Sequence, residues 1–254
     1  MCSVQTPTPS SLLLVAAAET EAKALLRGFG VATRSIAPWR LICCCDRVDL
    51  VCTGVGKANA AGAVATTFDQ SRHSAVINIG VAGSLPAAQP PALGDVVLAS
   101  VSMYADEGAI EPAGFRTLAD LGFPPAPEND REKDGMGVRA TPWLATALQP
   151  LAHCTGVIAT VSTCSGADAA AREVVARTGA LAEAMEGAAV GMTLRRLIQA
   201  DLALTSLAFA ELRVISNTTG DRTRQTWNLR AALDTLARLA ARVRELVLAV
   251  DPAD

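Results

Sequence analysis

Histidine is nearly absent from this sequence, aromatic side chains are few, and clustered cations are missing. Each shortage excludes a class of function. With only His73 and His153, and no Cys-x-x-Cys pair among seven cysteines, no His/Cys metal centre is expected. Cys43, Cys44 and Cys45 are contiguous, so they alternate across a strand and cannot converge on one ion. Cys2, Cys52, Cys154 and Cys164 stand alone. They read as small apolar thiols buried in a reducing compartment. A formal net charge of −3 without a long basic run argues against nucleic acid, whose phosphates need clustered Lys and Arg. With 4% aromatic residues, stacking platforms for single strands are scarce too. No apolar run approaches the ~20 residues of a spanning helix, so no membrane partner is expected. The start, "MCSVQTPTPSS", lacks the charged segment of a signal peptide. It reads as a flexible tail over residues 1–10, and the protein is expected in the cytoplasm.

What is present is apolar and regularly punctuated. Half of the 254 residues are hydrophobic, which suits one α/β domain over residues 11–254. "SLLLVAAA" is a nearly continuous apolar run, as a strand buried on both faces requires. "ETEAKALLRGFG" follows as a helix, with acids early, a cation late and glycine stops. Further strands are expected at "RLICCCD", "VDLVCTG", "SAVINIGVAG", "GDVVLAS", "TGVIATVSTCSG" and "LAFAELRVISN". Helices are expected at "KANAAGAVATTFDQ", "ADAAAREVVARTG" and from Leu229 to Val250, where apolar residues recur every three or four positions. Residues 114–137 are proline-rich and charged, and read first as a solvated surface insertion and second as a flap over a site. The alternation implies a twisted, largely parallel mixed sheet flanked by helices.

In such sheets the chemistry lies beyond the carboxyl ends of the strands. That rule selects Glu19 and Glu21, the glycines of "GVGKA" and "GVAGS", Asp106 and Glu107, "STCSG", "MEG" and Asn217. The two glycine turns can admit a ligand close to the backbone, although "GVGKA" lacks P-loop spacing. Glu186 in "EAMEG" has two readings: a buried carboxylate holding a pair of sugar hydroxyls, or an acid at a helix start. "ELRVISN" is an apolar strand that ends on an asparagine, followed by a polar loop with Asp221, Arg222, Arg224 and Trp227. That loop is either a lid or a surface turn capped by Thr226 or Asn228 before the last helix.

Six stretches, "VAAAETEA", "TGVGKANAA", "NIGVAGSL", "GDVVLAS", "EAMEGAAVG" and "ELRVISN", occur in order over residues 12–228. Together they resemble the nucleoside phosphorylase/nucleosidase superfamily, with the purine nucleoside phosphorylase fold. Within it, "YADEG" and "RVISNTTGDRTRQTWN" are most similar to the futalosine hydrolases, which release hypoxanthine from futalosine in an alternative menaquinone route. The resemblance implies roles. Glu186 would bind the ribose 2′- and 3′-hydroxyls, and Met185 would pack under the sugar. Glu21, with Glu19 as second choice, would activate water. The purine would rest against the turn at Cys164 and Ser165. Gly83, Asp106 and Trp227 complete the expected substrate-binding set. A homo-oligomer without a cofactor is implied as well.

Asn217 stands where adenine-cleaving nucleosidases carry an acid. Hypoxanthine presents two adjacent acceptors, N7 and O6, to which an amide NH₂ can donate and which a carboxylate would repel. The first turn, "AAAETEA", has acids where hexameric phosphorylases have arginine, so water is favoured over phosphate. The expectation is a hydrolase of a 6-oxopurine nucleoside, futalosine above all. The alternatives are a purine nucleoside phosphorylase, a methylthioadenosine/S-adenosylhomocysteine nucleosidase and a non-catalytic nucleoside-binding module.

Overall fold

β1 (Ser11–Ala16) is buried along nearly its whole length, as its unbroken apolar run requires. A computed structural model describes residues 11–32, 35–126, 133–200 and 207–249. The tail expected over residues 1–10 lies outside them, as does Val250. After β1 come α1 (Glu19–Gly28), β2 (Leu41–Cys45), β3 (Val48–Cys52), α2 (Lys57–Thr67), β4 (His73–Ser84) and β5 (Val96–Tyr104). Then follow β6 (Gly108–Glu111), β7 (Gly114–Thr117), β8 (Gly137–Arg139), α3 (Pro142–Leu148) and β9 (Cys154–Thr160). The chain continues with α4 (Asp168–Thr178), β10 (Ala182–Ala184), α5 (Gly187–Ala200), β11 (Ala208–Thr218) and α6 (Leu229–Leu248).

The main sheet is mixed, in the order β10-β9-β5-β11-β4-β1-β3-β2, with β8 on β5. β4 runs parallel to both β1 and β11, whereas β11 is antiparallel to β5. Alternate residues of β1 feed two cores. Leu12, Leu14 and Ala16 pack with Leu25 and Leu26 of α1 and with Leu236, Leu239 and Val243 of α6. Leu13 and Val15 pack with Ala60 and Val64 of α2 and Val190 of α5. Each such fully buried Leu or Val contributes about 1.5–3 kcal/mol relative to exposure. In α6 the buried face is Ala232, Leu236, Leu239, Ala240, Val243 and Val247, capped by Asn228, whose side chain accepts from Ala231 N–H. Leu229 lies outside that buried stripe.

Two features depart from the sequence reading. Residues 114–137 are not simply a solvated insertion. β7 pairs with β6 in a two-stranded hairpin, β8 begins at Gly137, and Ala126 and Met136 are buried. These strands are too short and glycine-rich to show a period of their own, and long-range pairing defines them. The second feature is the three-residue strand β10. It pairs in parallel with β9 and antiparallel with the far end of β4, so β4, β11, β5, β9 and β10 close into a ring. Both histidines are used in structure. His73 Nε2 lies 3.0 Å from buried Asp49, and His153 Nδ1 accepts from Val96 N–H.

Candidate active site

Where β1, β4, β10 and β11 end, a cavity of about 400 Å³ opens. Its wall includes Glu21, Gly83, Cys164, Ser165, Met185, Glu186, Asn217 and Trp227, so eight of the nine residues expected from the sequence converge there. Glu183 and Arg222 join them.

Glu21 sits in the first turn of α1 and is buried. Its Oε2 accepts from Ala17 and Ala18 N–H at 3.2 and 2.8 Å, and its Oε1 from Val81 N–H at 2.7 Å. Gly80 makes this approach possible, because a Cβ there would collide with Glu21 Oε1 and Arg213 Nη1. Burial pushes the Glu21 carboxyl above the usual carboxylate range, against the opposing pull of Arg213 and the backbone donors. Glu19, the alternative, is exposed and pairs with Lys23 at 2.7 Å.

Glu186 does not cap the helix that follows it. Its Oε1 accepts from Gly56 N–H at 3.0 Å, in the "GVGK" turn, and its Oε2 from Met185 N–H and Arg213 Nη2, both at 3.3 Å. At the start of α5, Ala188 N–H donates instead to the Thr160 hydroxyl, at 2.8 Å. The helix-start reading of Glu186 is therefore not the one the geometry favours.

Arg213 is a site residue that the sequence reading missed. It is fully buried, with Nε donating to Glu211 at 2.8 Å and Nη2 to Asn78 and Glu186. Ser102 Oγ donates to the other Glu211 oxygen at 2.5 Å. A buried guanidinium is tolerated here because carboxylates surround it. The available signal was Glu211-x-Arg213 within an apolar strand: opposite charges two residues apart share one face. Burial raises the Glu211 carboxyl above its ordinary range, with Arg213 opposing.

Asn217 owes its aim to a bulge. β11 stays in register with β4 up to Ile215 opposite Ala82; then Ser216 is extra and Asn217 lies opposite Gly83. Ser216 Oγ donates to Asn217 Oδ1 at 2.8 Å, and Asn217 Nδ2 donates to Thr218 O at 2.9 Å. The amide is thereby fixed, with one N–H of Nδ2 left to meet a ligand.

Asp106 requires a correction, because it does not line the cavity. Its carboxylate pairs with Lys57 Nζ and accepts from Ser162 and Thr163 N–H, at 2.5 and 3.3 Å for the latter two. It therefore holds the "STCSG" turn from outside. The cysteines also need revision, since Cys43 and Cys164 are exposed and Cys164 Sγ lies 3.6 Å from Met185 Sδ. The loop after Asn217 is seated on the same turn. Gly220 N–H donates to Ser165 O at 3.0 Å, Arg222 N–H to Gly166 O at 3.3 Å, and Arg224 bridges Asp168 and Asp221. Trp227, 54% exposed, covers one rim.

The cavity thus gathers three buried carboxylates, Glu21, Glu183 and Glu186, with one rim guanidinium, Arg222. Among the described residues, no group of three His, Cys, Asp or Glu could hold a metal ion. No helix of the described residues is long and apolar enough to cross a membrane.

Solved structures share the fold. The 5′-methylthioadenosine/S-adenosylhomocysteine nucleosidase of Helicobacter pylori, with a bound butyl-thio-DADMe-Immucillin-A, superposes with a TM-score of 0.68 at 18% identity, covering 95% of this chain and 99% of that one. The enzyme of the same name from Neisseria meningitidis gives 0.67 at 20% identity, over 94% and 98% of the chains. Curated relatives are closer in sequence. Futalosine hydrolase of Streptomyces coelicolor is 32% identical over 89% of this chain and 91% of its own length. That of Acidothermus cellulolyticus is 33% identical over 73% and 70%. The phosphorylase superfamily pattern matches residues 12–250. The chain belongs to the phosphorylase superfamily and, within it, to the family of the futalosine hydrolases.

Proposed function

We propose that the protein hydrolyses the N-glycosidic bond of futalosine, releasing hypoxanthine. The observation that carries hydrolysis is the charge of the cavity wall. Glu21, Glu183 and Glu186 face it, against Arg222 at the rim and Arg213, which lies behind the wall and is shared between Glu186 and Glu211. Such a wall repels a phosphate nucleophile and admits water. Glu21 takes the proton of that water. Glu186 accepts from a ribose hydroxyl at its remaining acceptor site, and Arg213 holds Glu186 in place. As the bond breaks, negative charge grows on the purine and positive charge on the ribosyl carbon. Asn217 Nδ2 stabilises the first and the Glu186 carboxylate the second. The purine leaves as an anion that takes a proton from solvent, as Glu21 gives its own back. The exposed free thiols Cys43 and Cys164 suit a reducing cytoplasm. A role in menaquinone synthesis and a homo-oligomeric state are expectations carried by the family.

The test is base release. Purified protein is expected to liberate hypoxanthine from futalosine at a rate independent of added phosphate. Inosine cleaved only in the presence of phosphate would make the protein a phosphorylase and overturn the reading.

A second expectation concerns ribose. Glu186→Gln should lower kcat/KM by roughly 10²-fold, as a charged acceptor for a ribose hydroxyl is lost. The check is a substrate lacking the 2′-hydroxyl. Wild type should cleave it far more slowly than futalosine, whereas the variant should treat the two nearly alike. An unchanged preference in the variant would show that Glu186 serves only to hold Arg213.

A further inference from the structure

Asp106 and Lys57 lie outside the cavity wall, yet between them they join two of the turns that build it. Asp106 follows β5, and its Oδ1 accepts from Lys57 Nζ. Its Oδ2 accepts from Ser162 and Thr163 N–H at 2.5 and 3.3 Å. Lys57 is the first residue of α2 and adjoins Gly56, whose N–H donates to Glu186 Oε1 at 3.0 Å. Ser162 and Thr163 lead directly into Cys164 and Ser165 on the cavity wall. One carboxylate thus ties the "GVGK" turn to the "STCSG" turn.

This is not an ordinary surface pair. An exposed ion pair contributes little, because solvent screens it and two flexible side chains must be ordered. Here the side chains of Lys57 and Asp106 are only 12% and 24% exposed. The ammonium is shared with Glu107 at 2.8 Å and lies 5.3 Å from the centre of the Tyr104 ring, which fixes it in place. Each turn also has anchors of its own. Thr53 and Gly54 N–H donate to Ala16 O and Ala17 O, both at 2.9 Å, and hold the first turn to the end of β1. Ser165 N–H and Oγ donate to Glu183 at 2.8 and 2.6 Å and hold the second. What Asp106 adds is the tie between them.

We propose that Asp106 and Lys57 form a positioning clasp for bond cleavage, fixing the turn that holds Glu186 relative to the turn that meets the base. This rests on the reading that a nucleoside fills the cavity, with its sugar at Glu186 and its base at Cys164 and Ser165. The scissile bond then spans the two turns. Binding of the base alone uses one turn, whereas the reaction needs both at a fixed separation. A displacement of about 1 Å can cost 10²-fold in rate. Both are positioning residues, since they act through the turns they hold.

The test is a double-mutant cycle on Lys57→Met and Asp106→Asn in the full-length protein. It is read as hypoxanthine release from futalosine and as calorimetric binding of hypoxanthine. Asn keeps an oxygen for the Ser162 and Thr163 N–H groups but turns an NH₂ toward the ammonium, and Met keeps the apolar stem of lysine. Each single variant should lower kcat by roughly 10²-fold. The double variant should fall no further than the worse single one, because both changes break one clasp. Affinity for hypoxanthine should stay at the wild-type value. Three results would overturn the proposal. They are wild-type kcat in either single variant, losses that multiply in the double variant, and loss of hypoxanthine binding in step with kcat. The last is the mark of a pair that merely keeps the turns folded. The hydrolase reading fails on different evidence, the absence of base release from futalosine by wild type.

Discussion

Asn217→Asp should abolish cleavage of futalosine, lowering kcat/KM by roughly 10⁴-fold at neutral pH, the scale on which a mismatched polar group discriminates in a desolvated site. Two contacts lead to this figure. An ionised aspartate would turn an oxygen toward O6 and N7, where the purine already presents acceptors. It would also turn one toward Thr218 O, which now accepts from Asn217 Nδ2 at 2.9 Å. Both contacts penalise the charged form, so the introduced carboxyl should titrate high. Once protonated it can donate again. Residual activity of the variant should therefore rise as pH falls, until protonation of Glu21 removes the base. The measurement is hypoxanthine release by both proteins across pH, with an adenine nucleoside carrying the same 5′ substituent as control. Full futalosine activity in the variant at neutral pH would remove Asn217 from base recognition.

Glu21→Gln should lower kcat by 10²-fold or more, the usual range for loss of a general base, with little change in KM. A pH signature separates this from simple damage. The base acts as a carboxylate, and burial holds its pKa above the ordinary value. Wild-type kcat/KM should thus fall as pH drops through that raised value, and the variant should lack this acidic limb. The stability sign is the opposite. A carboxyl whose folded pKa is raised contributes stability that is complete below its unfolded pKa and lost as pH rises through its folded pKa. The amide also introduces a cost, because both Glu21 oxygens accept from backbone N–H groups and a Gln NH₂ must face one of them. That mismatch is worth about 1–3 kcal/mol, so the melting temperature should fall too. Near-wild-type turnover at neutral pH would exclude Glu21 as the base.

Much of this was legible in the sequence because it is local. The apolar run of β1, the charge order of α1 and the three- and four-residue steps of α6 each follow from the period of one element. The abrupt end of "RVIS" at Asn217, the glycines of "GVAGS" and the acid of "MEG" stood out as polar or small residues at strand ends. The cavity collects Asn217, Gly83 and Glu186, and Gly80 gives Glu21 room beside it. The resemblance to nucleosidases rested on the same punctuation, and the relatives bear it out.

Other choices were made only in three dimensions. Whether Glu19 or Glu21 faces the cavity depends on the angle at which α1 leaves β1; Glu21 is turned in and Glu19 out to Lys23. Asp106 sits at a strand end like the rest, yet the packing of Lys57 turns it toward the "STCSG" backbone. Arg213 is held by Glu211, its neighbour two residues away on β11, and also by Asn78 of β4 and Glu186 between β10 and α5, which no spacing rule links to it. The Ser216 bulge and the three-residue strand β10 bring Asn217 and Glu183 to opposite sides of Gly83. Periodicity reports which face of an element is buried, so the sequence by itself determined the elements, the layers and the end of the sheet where chemistry could lie. Strand closure and buried charge balance are contacts between residues distant in the chain, and only the tertiary structure decided which carboxylates meet and what they face.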